Sequence, residues 1–253
     1  MTKIIGVLAS GRGSDFQSII DHISLGILKS ARIGVLISNN VEAYALKRAK
    51  QAGIDPVYIE GIQGKKFPSR EAREKEREIF DKKAVGVLKQ YNVDLVVLAG
   101  FMQVLTPFFV DEYQWRIMNI HPAKNMEKYS GRGIYGERVH EAVLKAGEKE
   151  SGCTIHYVDK GVDTGPIILQ YTVPVKPGDT VHRLADRILV YEHRLYSKAI
   201  QLHIDGRLKI VTGSVENDYS GNWEEEWNER EKAYIEYQKA EWAKIGKPLE
   251  DLV

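Results

Sequence analysis

The sequence predicts an α/β protein: a Rossmann-like, doubly wound, mostly parallel sheet followed by a helical C-terminal tail. Three observations predict it. Short apolar, β-rich runs alternate with segments of helical period from the first residues onward. The first run, Lys3 to Ala9, passes directly into a glycine turn, Ser10-Gly-Arg-Gly-Ser-Asp15, and then into a helical pattern. A later run, Val93 to Ala99, is almost wholly apolar, as a strand covered on both faces must be.

The elements follow in order. Phe16, Ile19, Ile20 and Ile23 keep the spacing of one helix face, and Ser14 or Asp15 can cap that helix. Ala31 to Ser38 predicts a second strand, Glu42 to Gln51 a helix, and Pro56 to Ile59 a short third strand. Ser69 to Tyr91 predicts a long helix, and its charge-rich part from Ser69 to Lys83 reads as a solvated face. Gly100 to Leu105 ends the Val93 strand, and Thr106-Pro107 opens another helix by the cap-then-proline signal. Arg116 to His121 is a strand stopped by Pro122. A polar loop from Ala123 to Gly136 leads to a helix over Tyr135 to Ala146. Cys153 to Val158 and Ile167 to Val175 predict two strands joined by Asp159 to Pro166. A helix from Asp179 to Leu202, an Asp205-Gly206 turn and a strand at Leu208 to Val211 complete a first domain, residues 1–212.

From Gly213 the composition shifts, and residues 213–253 predict a charged helical extension. Trp223, Trp227, Tyr234, Gln238 and Trp242 fall on one stripe of a helix that Pro248 ends. Such a stripe covers a core or a partner subunit, the second case making a homodimer.

Composition narrows the function classes. Lys and Arg total 36 against 35 acidic residues, a net charge of +1, which argues against nucleic-acid binding driven by bulk charge. The single cysteine, Cys153, excludes an intramolecular disulfide and a cysteine-rich metal site, and it sits in an apolar strand as a packing residue. Ile4 to Ala9 is too short for a signal-peptide core or a membrane span, so a cytoplasmic enzyme is expected.

Two stretches carry chemistry. The strand–glycine turn–helix of Gly11, Arg12, Gly13, Ser14 and Asp15 suits an anion, because free N–H groups and the helix dipole converge there. It is neither a Walker pattern nor a dinucleotide fingerprint. Asn119 and His121 lie two apart on one strand and therefore share a face. An amide donor beside a titratable imidazole can stabilise an oxyanion while moving a proton. No His, Cys or Asp cluster has metal-ligand spacing, so no metal is expected.

With these pieces placed, residues 3 to 212 resemble the glycinamide ribonucleotide formyltransferase family. The resemblance rests on Ser10-Gly-Arg-Gly-Ser-Asp15, Ser69-Arg-Glu-Ala72, Val96-Val-Leu-Ala-Gly-Phe-Met102, Asn119-Ile-His-Pro122, Asp163-x-Gly165-Pro166, Glu192-His193 and Asp205-Gly-Arg-Leu208. It implies a formyltransferase fold and transfer of the formyl group of 10-formyltetrahydrofolate, as co-substrate, to the amine of glycinamide ribonucleotide. It also implies that Asn119, His121 and Asp163 form the catalytic trio, with Asp163 favouring the charged imidazole. Gly11 to Asp15 would hold the ribonucleotide phosphate and Glu192 its ribose. Arg70, Met102, Gln103, Val104, Leu105, Asp159 and Val162 would contact the folate.

The chain departs from the family after Pro122. A Ser-Leu-Leu-Pro-like segment is common there, whereas this chain has Ala123-Lys-Asn-Met126 and a loop carrying Lys124, Lys128 and Arg132. The neighbouring readings are a 10-formyltetrahydrofolate hydrolase and a formyltransferase with another amine acceptor. A methionyl-tRNA formyltransferase is disfavoured, because the tail is acidic at Glu224-Glu-Glu226 and unsuited to a polyanion.

Overall fold

The computed structural model describes residues 1–131 and 134–247. Its elements run β1 (Lys3–Leu8), α1 (Ser14–Ser24), β2 (Ala31–Ser38), α2 (Tyr44–Gln51), β3 (Asp55–Tyr58), α3 (Arg70–Gln90), β4 (Leu95–Leu98), α4 (Pro107–Glu112) and β5 (Ile117–His121). They continue with α5 (Met126–Tyr129), α6 (Glu137–Lys145), β6 (Glu150–Tyr157), β7 (Ile167–Pro174), α7 (Val181–Ile204), β8 (Leu208–Val211), β9 (Ser214–Asn217) and α8 (Trp223–Lys244). Seven strands form one sheet in the order β3-β2-β1-β4-β5-β6-β7, and β8 pairs with β9 in an antiparallel hairpin. The β1–β2, β2–β3, β1–β4 and β4–β5 pairs are all parallel, as the doubly wound reading requires.

The chain divides into two compact units. The first comprises Met1–Gln17, Ser30–Asn119 and His156–Gly165. Its core packs Leu8, Val35, Ile37, Val96 and Leu98 of the strands against Phe80, Ala84 and Leu88 of α3 and Phe109 of α4. The chain runs from β1 outward to β2 and β3, then returns to place β4 and β5 on the other side of β1. The β1/β4 junction is therefore the point where the winding reverses, and in open α/β sheets ligands bind beyond the carboxyl ends of the strands at such a point.

The second unit comprises Ser18–Lys29, Ile120–Ile155 and Pro166–Val253. The aromatic stripe of α8 is consumed inside it. Trp223, Trp227 and Tyr234 pack with Ile27 and Leu202, and Trp242 packs with Val190. The Trp223 Nε1–H donates to Asp205 at 2.6 Å, the Arg230 Nη1–H donates to the Ile27 carbonyl at 2.6 Å, and the Arg194 Nε–H donates to Gln238 at 3.1 Å. Of the two roles open to such a stripe, the structure shows the core.

Several boundaries differ from expectation for local reasons. The Glu42 N–H is held by the Asn40 side chain at 3.0 Å, so α2 begins only at Tyr44. Gly136 adopts φ 55°, which delays α6 to Glu137. Asp179 is outside α7, which Thr180 caps, and instead makes a buried two-pronged ion pair with Arg187 at 2.8 and 2.9 Å. The polar loop after Pro122 contains the short helix α5, and a strand, β9, lies beyond Gly213. The solvated-face reading of Ser69 to Lys83 fails at Phe80 and Asp81, which are fully buried. Arg132 and Pro248 lie outside the described residues. Among those residues no helix is long and apolar enough to cross a membrane.

Trp227 is completely buried and stacks on Trp223 with ring centroids 5.9 Å apart. Trp227→Ala is expected to lower unfolding stability by about 3–5 kcal/mol, read by denaturant titration.

Candidate functional site

In the first unit, β1 ends at the glycine turn and α1 begins at Ser14. Three successive carbonyls of the turn are bound on one side. Ser10 O accepts from the Asn40 amide (3.1 Å), Gly11 O from the Ala45 N–H (3.1 Å) and Arg12 O from the Arg48 guanidinium (2.9 Å). In a trans peptide the N–H points opposite to the C=O. The N–H groups of Gly11, Arg12 and Gly13 therefore face away from these partners, as an anion-binding nest requires. Gly13 makes this path possible: its φ is +68°, and a Cβ there would lie 2.8 Å from the Ala45 Cβ. Burial pushes the Asp15 carboxyl up to about 6, opposed by its backbone hydrogen bond.

The segment after β4 meets this turn at the winding reversal. The Ser10 N–H donates to the Gly100 carbonyl (3.1 Å), and the Met102 N–H donates to the Ser10 Oγ (2.8 Å). Side chains alternate from there. Met102 and Val104 are exposed, at 47% and 45%, whereas Gln103 and Leu105 are buried. The Gln103 Oε1 accepts the Ile62 N–H at 3.2 Å, and Leu105 belongs to the core. Of these four expected contacts, two thus present side chains outward and two support them from behind. Val162, on the 159–165 turn, is also exposed. Arg70 is the first residue of α3, directly after Ser69, whose hydroxyl accepts the Ala72 N–H at 3.2 Å.

The 159–165 turn is built tightly. The Asp159 Oδ1 accepts from the Gly161 N–H (3.0 Å) and the Thr164 hydroxyl (2.7 Å), so Asp159 shapes the turn itself. Asp163 adopts φ 54°, the left-handed region that costs a non-glycine residue of order 1 kcal/mol. That geometry delivers its carboxylate to Asn119, whose Nδ2–H donates to Oδ1 at 3.2 Å. Asn119 also meets a residue absent from the sequence-based expectation: its Nδ2 lies 3.3 Å from the His156 Nε2, which is itself 3.6 Å from the Asp163 Oδ1. The His156 Nδ1 lies 2.9 Å from the Tyr157 carbonyl, an acceptor, so Nδ1 carries the proton and Nε2 accepts from Asn119. The signal for His156 was its place two residues before Val158 in an apolar run, where a buried imidazole needs a polar partner.

In the second unit, His121 is buried and its Nε2 lies 3.0 Å from the Tyr129 carbonyl, which makes Nε2 a donor. The Tyr129 hydroxyl donates to Glu148 (2.7 Å), and Glu148 also pairs with Lys128. Thr154 donates to the Ala123 carbonyl (2.8 Å) and Gln170 to the Lys124 carbonyl (2.7 Å), so the start of the polar loop is pinned. His140 is buried on α6. Burial lowers its pKa to about 4, with the charge of His121 adding to the effect. Glu192 is a buried residue of α7. Among the described residues no group of three or more His, Cys, Asp or Glu side chains could hold a metal ion.

The family profile described as "Formyl transferase" matches residues 3–200. The chain is 38% identical to the phosphoribosylglycinamide formyltransferase of Escherichia coli over 206 residues, 81% of this chain and 89% of that protein. It is 41% identical over 213 residues to the trifunctional purine biosynthetic protein adenosine-3 of Drosophila pseudoobscura pseudoobscura, of whose length it spans 14%. The crystal structure of glycinamide ribonucleotide transformylase 1 from Symbiobacterium toebii superposes with a TM-score of 0.74 at 40% identity, covering 85% of this chain and 94% of that one.

Gly13→Ala should weaken binding of a phosphate monoester about tenfold or more, measured by calorimetry, since the added methyl must displace the α2 contact. A second expectation concerns Asp81, on α3. Burial raises its carboxyl from the usual 3.8 to about 6, against the Thr106 hydrogen bond and Arg77, which lower it. A raised folded-state pKa means that the native chain binds more protons than the unfolded one between pH 4 and 6, so stability falls as pH rises through that window. Asp81→Asn should flatten that part of the melting-temperature profile.

Proposed function

The chain belongs to the formyl transferase family, and from that membership we propose that it transfers the formyl group of 10-formyltetrahydrofolate to the amine of glycinamide ribonucleotide, a step of de novo purine biosynthesis. The observation that carries this reading is the bonded pair Asn119–Asp163 within a chain so similar to the E. coli enzyme over most of that enzyme's length.

Asn119, His121 and Asp163 are the catalytic residues in this reading. As the substrate amine adds to the formyl carbon, negative charge develops on the formyl oxygen. The Asn119 amide supplies a donor to it. Its two present hydrogen bonds, at 3.2 and 3.3 Å, are long, so an oxyanion competes for a hydrogen at small cost. His121, with Nε2 committed as donor to the Tyr129 carbonyl, exchanges its other proton at Nδ1. That proton travels to the folate nitrogen as its bond to carbon breaks, and the attacking amine loses one in turn. Asp163 holds Asn119 in register and supplies negative charge beside the developing positive amine.

Gly11, Arg12, Gly13, Ser14 and Asp15 receive the phosphate, and Glu192 the ribose hydroxyls. The exposed apolar atoms of Met102, Val104 and Val162 suit a flat pterin, Gln103, Leu105 and Asp159 shape that surface, and Arg70 suits the acidic tail of the folate. Residues 1–212 form the catalytic domain and 213–253 the extension. Because α8 spends its aromatic stripe inside its own unit, a homodimer would need another surface. A cytoplasmic location fits these substrates.

The test is folate-product absorbance with 10-formyltetrahydrofolate, with and without glycinamide ribonucleotide. Turnover should require the ribonucleotide, and Asn119→Ala should lower kcat about 10²–10³-fold. Turnover with water alone would identify a hydrolase instead.

A further inference from the structure

Residues 102–106 have no regular secondary structure, so their backbone groups must find partners elsewhere. Two side chains of α3 supply partners for three of them. The Arg77 guanidinium donates to the Val104 carbonyl through both Nε (2.9 Å) and Nη2 (2.6 Å), and Nη2 also reaches the Leu105 carbonyl at 3.3 Å. Asp81, one turn further along the same face, accepts the Thr106 N–H at 2.6 Å. The third guanidinium nitrogen is held by Glu74 at 2.7 Å, so the fork is fixed in rotation as well as in position. Thr106 precedes α4, yet its own hydroxyl makes no cap; its N–H is spent on Asp81.

Both groups are placed at a structural cost. Asp81 is fully buried, and a carboxylate in such a site costs stability unless it is paired and hydrogen-bonded. Arg77 keeps only 14% of its side chain exposed, although a surface arginine would be free to leave. Their hydrogen bonds to this segment end on the backbone from which Val104 projects.

We propose that Arg77 and Asp81 are positioning residues for the co-substrate: they clamp the 102–106 backbone so that Met102 and Val104 stand preformed as an apolar shelf. This rests on the reading of that segment as the folate surface. The same helix starts at Arg70, so α3 acts as a ruler. Seven residues separate Arg70 from Arg77 and eleven separate it from Asp81, which at helical rise is about 10 and 16 Å. One rigid element thus sets the distance between the cation for the acidic tail and the shelf for the ring. Preforming that spacing lowers the ordering cost of binding, an effect on affinity and not on the chemical step.

The experiment uses the full chain, with the dissociation constant for 10-formyltetrahydrofolate by calorimetry beside steady-state kinetics in both substrates. Arg77→Leu should weaken folate binding about 10–100-fold and raise its KM alike, with kcat and the ribonucleotide KM within about threefold of wild type. Arg77→Lys, which keeps one donor for the Val104 carbonyl, should recover part of the loss. Asp81→Asn retains an acceptor for Thr106 and should stay within about threefold, whereas Asp81→Leu should follow Arg77→Leu. This Asn/Leu contrast carries the test if Arg77→Leu does not fold.

Unchanged folate affinity in Arg77→Leu and Asp81→Leu would overturn the clamp, as would a loss in kcat with affinity intact. Met102→Ala separates the two levels. If it weakens folate binding while the α3 variants do not, the clamp alone is wrong. If none of the three variants changes folate affinity, the folate reading of the segment falls with it.

Discussion

Ser10 is the joint on which the first unit's candidate site depends. It makes three bonds: its N–H to Gly100, its hydroxyl from Met102, its carbonyl from Asn40. Through them the turn that follows β1 and the segment that follows β4 become one piece of backbone at the place where the sheet reverses its winding. A loop that binds an anion and a loop that presents apolar side chains could each be built alone. Their relative placement cannot, and one small hydroxyl residue between two parallel strands supplies it. The Asn40 contact extends the joint to the end of β2.

What was legible in the sequence divides along physical lines. The alternation of apolar runs and helical periods was strong enough to locate every long element, because buried strands and amphipathic helices leave periodic records. Short elements leave weaker ones. The four residues of α5 and of β9 have too few turns or alternations to register, whereas β8, equally short, was marked by the Asp205-Gly206 turn before it. Helix starts shifted wherever a side chain captured a backbone N–H, as Asn40 does for Glu42. Asn119 and His121 were readable as a pair by type and spacing and Asp163 only through the family resemblance, whereas His156 was hidden in an apolar strand. Arg77 and Asp81 were hidden differently, as two charges among many on a helix whose exposed face looks the same. Only tertiary contact distinguishes a clamp from a solvated charge.

The two units spend polar groups in contrasting ways. In the first, the polar atoms that matter are held by backbone and by single side chains, so Asn119 is oriented by one carboxylate and one imidazole. In the second, His121 is tied to a short helix whose own tyrosine is tied to Glu148, with Lys128 sharing the same carboxylate. The departure from the family pattern after Pro122 therefore falls on a segment with its own hydrogen-bonded foundation. Lys124, on that segment, makes a solvent-exposed ion pair with Glu150 at 2.7 Å.

The α8 contacts also bear on how the chain reaches its native state. The Ile27 carbonyl finds its guanidinium 203 residues downstream, and the His22 ring stacks on Tyr234 at 3.7 Å between centroids. Loops of that length close slowly, because their entropy is spent before any contact repays it. During synthesis the first unit's β1 to β5 can assemble while the second still waits for the helix that completes its core. Ile27 and Trp227 lie in one buried cluster, which is complete only once α8 has packed. A ribosome-bound chain that lacked it would hold α1 with an apolar edge open to solvent, which is the state that chaperones recognise.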